Sequence, residues 1–108
     1  MASFDDFIDA IEEGVKELAK NTLKGYKDEA VTDAKAFLAA SKDDLQRWAT
    51  LLANGELSQD DFEWLVMGRK DVAALHALKQ KGLAFVRIDR FKNALLNLVI
   101  DTAFDVFI

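Results

Sequence analysis

The sequence predicts an all-α fold: a helical bundle of four to five helices, with a long amphipathic N-terminal helix and a buried C-terminal helix. Three observations lead there. The 108 residues include no proline and only five glycines, so little would interrupt a helix. Apolar residues recur at helical spacing along most of the chain. The closing stretch, Leu83 to Ile108, is its most apolar part and keeps Phe85, Ile88, Phe91 and Leu95 in helical phase. Hydrophobic residues make up 51% and charged residues 31%, a balance that excludes disorder and fits one helical domain over residues 1–108.

The first helix is expected from about Phe4 to Ala39 or Ala40. Its opening, Ser3-Phe4-Asp5-Asp6-Phe7, shares a pattern with Ser41-Lys42-Asp43-Asp44-Leu45 and Ser58-Gln59-Asp60-Asp61-Phe62. In each, the serine is placed to cap the free N3 amide, and the aspartates sit where the helix dipole favours negative charge. Adjacent carboxylates on a helix point to different faces, so capping is preferred to metal ligation. The helix divides into eleven-residue units headed by Phe4, Val15 and Tyr26, with Phe37 next and Ile8, Ala19 and Ala30 at the fifth positions. Eleven residues make three turns, which carries one apolar stripe along the helix. Unbroken, about 36 residues would extend ~54 Å, against a radius of gyration of about 13 Å for a domain of this size. The stripe then needs a second chain to cover it, unless Gly25 bends the helix back. Gly14 and Gly25 close the first two units.

A second helix is expected from about Lys42 to Ala53, ended by Asn54-Gly55, both tolerant of the left-handed conformation. A third starts after Ser58, with Leu57 and Phe62 placed as a hydrophobic staple. Gly68 divides it from a second half, Lys70 to Lys81, which Gly82 ends. The last helix is Leu83 to Ile108. At 100° per residue its Asn93, Asn97, Asp101 and Asp105 share one arc, interrupted by Phe104 and Ile108, and its other directions are apolar. Such a helix must be covered on several sides.

The net charge of −5 is unevenly spread. Residues 1–63 hold 7 basic and 15 acidic side chains, and residues 69–92 hold 7 basic and 2 acidic. Faces that offset each other across the bundle explain this best. No aromatic stacking pattern or glycine-rich loop accompanies the basic residues, which argues against nucleic acid. Asp101 and Asp105 repel each other at i, i+4 near a helix C-terminus. They are expected to be a solvated stripe or, more sharply, to meet Arg or Lys of the 69–92 segment, including across a subunit interface.

The opening MASFDDFIDA lacks the basic and apolar regions of a signal peptide. Charges from Arg87 to Asp105 make the last stretch a costly membrane span. There is no cysteine, which suits a cytoplasmic setting. One histidine, His76, with no Glu-x-x-His motif and no nucleophile elbow, supports no metal, cofactor or catalytic site. It is expected at the edge of a helix face beside Val72 and Lys79. Trp48 and Trp64 are expected as core or interface anchors.

The function expected is non-enzymatic: a self-associating or partner-binding helical module, most simply a dimer with a symmetric interface. Its candidate interface residues are Phe4, Ile8, Val15 and Tyr26 of the first helix and Phe91, Leu95, Val99, Asp101, Phe104, Asp105 and Phe107 of the last. The alternative is a binder of an apolar small molecule or a membrane surface through a groove lined by Phe85, Phe91, Trp64 and Trp48. An enzyme has the least support.

Overall fold

The computed structural model describes residues 3–108. The fold is all-α, with helix α1 at Phe4–Thr22, α2 at Lys27–Ala53, α3 at Gln59–Met67, a short α4 at His76–Gln80 and α5 at Phe85–Phe107. A single 3-10 turn, Lys70–Val72, lies between α3 and α4. α1 packs on both α2 and α5, α3 on α5 and α2, and α4 on α2 and α5. Buried side chains from all five helices form one core cluster.

The first helix is shorter than the eleven-residue pattern suggests. It stops at Thr22, and the chain reverses through a turn in which the Tyr26 amide donates to the Leu23 carbonyl at 2.9 Å. Gly25 takes φ +87° there, a backbone geometry that costs a residue with a Cβ about 1–2 kcal/mol. The turn folds α1 back on α2, so the stripe of α1 is covered within the chain. The longest dimension is 42 Å, matching α2 at ~40 Å for its 27 residues and well short of the expected overhanging rod.

The buried stripe of α1 is Phe7, Ile11, Val15 and Ala19, four residues apart throughout. Phe4 and Ile8, the first and fifth positions of the first eleven-residue unit, lie on its half-buried flank. Gly14 has a different role from Gly25. A Cβ there would stand 2.8 Å from Leu98 Cδ1, so the missing side chain lets α5 approach α1 closely.

The second expected boundary, at Ser41, is absent: α2 runs through it without a break. Ala30, Ala34, Phe37, Ser41, Leu45, Trp48 and Leu52 are all buried and form one stripe at spacings of three and four. Ser41 is therefore a core-facing residue of α2 and caps nothing. The other two serines do cap. Asp6 N–H donates to Ser3 Oγ and Ser3 N–H to an Asp6 carboxylate oxygen, both at 3.1 Å, completing a capping box. Asp61 N–H donates to Ser58 Oγ at 3.1 Å.

The segment expected as one helix from Lys70 to Lys81 is instead the 3-10 turn, a tight non-helical link and α4. Leu75 breaks it, with φ 54° and ψ 47° in the left-handed region. Its side chain and that of Leu78 are buried; each such burial is worth roughly 1.5–3 kcal/mol, enough to hold a strained backbone. α4 has no cap from its own N-terminus. Asp33 of α2 supplies one: the amides of Ala77 and Leu78 each donate to its carboxylate at 2.9 Å. Gly82 follows α4 at φ +84°, as a residue past a helix end should.

α5 begins at Phe85, two residues later than expected, after an extended Ala84. It buries Ile88, Phe91, Leu95, Leu96, Val99, Ile100 and Ala103. Asn97, Asp101 and Asp105 face out, with Asn93 half-buried at the head of the same arc. Among the described residues, no helix is long and apolar enough to cross a membrane.

Candidate functional site

A large cleft lies where α1 begins and where α2 and α5 end. α1 and α5 are pinned there by Phe7 and Phe107, whose rings meet edge-on at 5.3 Å, a favourable aromatic geometry. Phe4 stacks obliquely on Phe7 at 5.7 Å. α2 runs past the other two helices, and between them opens a cleft of about 500 Å³, lined by Phe4, Gln46, Ala49, Thr50, Ala53, Asn54, Val106 and Phe107. Its floor is apolar, and Gln46, Thr50 and Asn54 give it a polar margin. A second, shallower hollow of about 220 Å³ lies on the other side of Phe4, between α1 and α2, where Ile8 and Leu38 line it. Phe4 is thus the ridge between two hollows. The neighbouring Ile108 is 65% exposed.

No protein-family model, curated protein or solved structure matches this chain. The site must therefore be read from its own geometry.

The candidate interface residues divide by burial. Val15, Phe91, Leu95 and Val99 are enclosed in the chain's own core, where a partner would not reach them. The turn at Gly25 is the physical reason: it lets α2 and α5 cover the stripe that a straight helix would have left open. Phe4, Ile8, Tyr26, Phe104 and Phe107 are half-buried and pack against the core from its edge. Of these, Phe4, Ile8 and Phe107 line the two hollows. Phe104 stacks obliquely on Phe62 of α3 at 5.9 Å. Tyr26 lies at the opposite end, under the Arg87 guanidinium at 5.7 Å.

Asp101 and Asp105 are exposed, and among the described residues neither forms an ion pair. The basic residues expected to meet them within the chain go elsewhere. Arg69 reaches Asp44 at 2.9 Å, donating also to the Ser41 hydroxyl at 3.3 Å and the Ala40 carbonyl at 3.2 Å. Lys81 reaches Glu29 at 3.7 Å and Lys70 reaches Asp89 at 3.6 Å. Arg87 donates to the carbonyl of Thr22, the last residue of α1, at 3.3 Å, which suits the negative end of the helix dipole. Arg69 and Lys81 thus tie the basic segment to Asp44 and Glu29 of α2.

The four aromatics expected to line one groove are dispersed. Trp48 and Phe91 are buried, whereas Trp64 is 76% and Phe85 77% exposed. Trp64 stands on α3 beside Asp60, Glu63 and Met67. Phe91 contributes instead to a cleft of about 290 Å³ with Thr22, Leu23, Arg87, Arg90 and Ala94, at the end of the bundle opposite Phe4. His76 is exposed at the start of α4. Among the described residues, no group of three or more histidines or carboxylates could hold a metal ion.

Proposed function

We propose that this protein is a non-enzymatic helical module that associates with copies of itself, or with a partner of like surface, through the end of the bundle formed by Phe4, Val106, Phe107 and Ile108. The observation that supports the reading is the cleft at that end, lined by the half-buried Phe4, Val106 and Phe107 with Gln46, Thr50 and Asn54, beside the exposed Ile108. Isolated exposed apolar side chains are ordinary on a protein surface, but grouped ones rimmed by polar residues mark interaction sites. The proposal also places the module in the cytoplasm, as suits a chain without cysteine.

Sedimentation velocity from micromolar to submillimolar concentration tests it. The expected result is a mass that rises with concentration and falls back when Ile108→Asp puts a charge beside the cleft. A constant monomer mass over that range would remove the reading.

The size of the cleft favours a second reading, an apolar small-molecule site, because about 500 Å³ falls within the ordinary range for ligand pockets. A fluorescent fatty acid would then bind at one site per chain, and Ala53→Lys would abolish binding. No saturable binding would leave self-association as the only occupant of the cleft.

A further inference from the structure

The two ends of the bundle carry opposite charge. Residues 13–40 and 70–100 form the end where the turn at Gly25, α4 and the start of α5 meet; they hold 11 basic and 7 acidic side chains. Residues 3–12, 41–69 and 101–108 belong to the end with the Phe4 cleft; they hold 3 basic and 12 acidic. The net charges are therefore +4 and −9, which sum to the −5 of the chain. Apolar surface accompanies both. At the basic end Phe85 is 77% and Val86 59% exposed, side by side at the first turn of α5. Arg87 and Arg90 line the cleft next to them. At the acidic end is the cleft with the Phe4 ridge, and Asp101 and Asp105 are exposed on the last two turns of the same α5 that supplies Val106 and Phe107 to it.

We infer that the occupant of the Phe4 cleft is the Phe85–Val86 tip of a second copy, so that the protein assembles head to tail. This rests on the self-association proposed above and gives it a polarity. Each copy carries both halves of the contact: an apolar tip beside Arg87 and Arg90, and an uncharged hollow at the end of the bundle whose net charge is negative. Opposed potentials steer such surfaces together and disfavour tip-to-tip or cleft-to-cleft pairing. Asp101 and Asp105 then meet basic residues of the 69–92 segment in the neighbouring copy. A contact between two different patches does not close on itself as a symmetric dimer does. It continues into a ring or an open filament.

The contact is small. The bundle is 24 × 19 Å in cross-section, an ellipse of roughly 360 Å² per copy against about 800 Å² in a standard interface. Association is therefore weak and concentration-dependent, and salt weakens it further.

Two variants in surface positions test this. Phe85→Glu removes the tip and leaves the cleft. Ala53→Lys places a cation in the cleft mouth and leaves the tip; it sits in the last turn of α2, where the dipole accepts positive charge. Circular dichroism and melting temperature check that both remain folded. In light scattering the wild-type mass should grow past two copies with concentration. Each variant alone should be a monomer, its association weakened by about thirtyfold or more, as loss of a central aromatic anchor does. An equimolar mixture should recover association and stop at two copies, since only one working tip and one working cleft remain.

A closed wild-type dimer unaffected by Phe85→Glu would overturn the head-to-tail contact and leave self-association standing. A wild-type monomer throughout would overturn both. Variants that fail to associate even when mixed would overturn the pairing of tip with cleft. Vesicles with and without anionic lipid distinguish the competing use of a basic, apolar tip. A monomer that co-sediments only with the anionic vesicles, in a Phe85-dependent way, would overturn the inference in favour of membrane docking.

Discussion

Asp33 does for α4 what no residue of α4 does for itself. Its two hydrogen bonds join amides that are 44 and 45 residues away in sequence, and they hold the five-residue helix against the left-handed backbone at Leu75. Hydrogen bonds to a charged group contribute about 1.5–3 kcal/mol. Asp33→Ala should lower the unfolding free energy by about 2 kcal/mol on that scale, measured by urea denaturation. Asp33→Asn, which keeps one acceptor oxygen, should lose less. An unchanged urea midpoint for the alanine variant would show that α4 is held by packing alone. The sequence contained only a hint of this role: Asp33 falls four residues before Phe37, on the apolar side of its helix. Nothing local could name Ala77 and Leu78 as its partners, because the strained turn at Leu75 has no glycine to announce it.

Among the elements, one pattern met two outcomes. Ser3 and Ser58 begin helices because the chain before them is not helical, so their hydroxyls find free amides. Ser41 follows Phe37 and precedes Leu45 by four residues each, so the helix that buries those two buries it as well. Periodicity outranked the capping signature, and that was legible in the sequence. Ser58→Ala should cost about 1 kcal/mol, as loss of an N-cap does, whereas Ser41→Ala should leave helix content by circular dichroism unchanged and lose only the Arg69 contact. A fall in helix content for Ser41→Ala would contradict this.

The two glycines that close the eleven-residue units separate in the same way. Gly25 has open space around it but positive φ, so Gly25→Ala should cost about 1–2 kcal/mol through backbone strain. Gly14→Ala meets only the tip of a half-buried leucine, and the gain in helix propensity, up to about 1 kcal/mol, should offset most of that displacement. Paired melting curves would compare them; equal losses would mean that strain and packing had been assigned to the wrong glycines. The start of α1 at Phe4 and the extent of α5, within two residues, were legible from the cap at Ser3 and the long apolar run after Leu83. The boundary between α1 and α2 was not, since glycine within a helical pattern marks a turn or a close approach equally well.

The whole molecule is a short rod with a charged and apolar face at each end. Sequence showed the charge asymmetry between its first 63 residues and its 69–92 segment, but not its arrangement. The arrangement depends on the reversal at Gly25, which brings the start of α1 to the end of α5 and leaves Phe85 at the far tip. The same reversal moved Val15, Phe91, Leu95 and Val99 from candidate interface to core and left Phe4, Ile8 and Phe107 at an edge. Association through the ends should weaken as ionic strength rises, since exposed charges are screened beyond about 10 Å at 0.1 M salt.

A dilution series of amide NMR spectra tests the placement of that contact most directly. With increasing concentration, resonances at Phe4, Ala49 to Asn54 and Val106 to Ile108 should move together with those of Leu83 to Val86, while the Trp64 face of α3 stays still. Shifts confined to the Trp64 face, or none at either end, would contradict it.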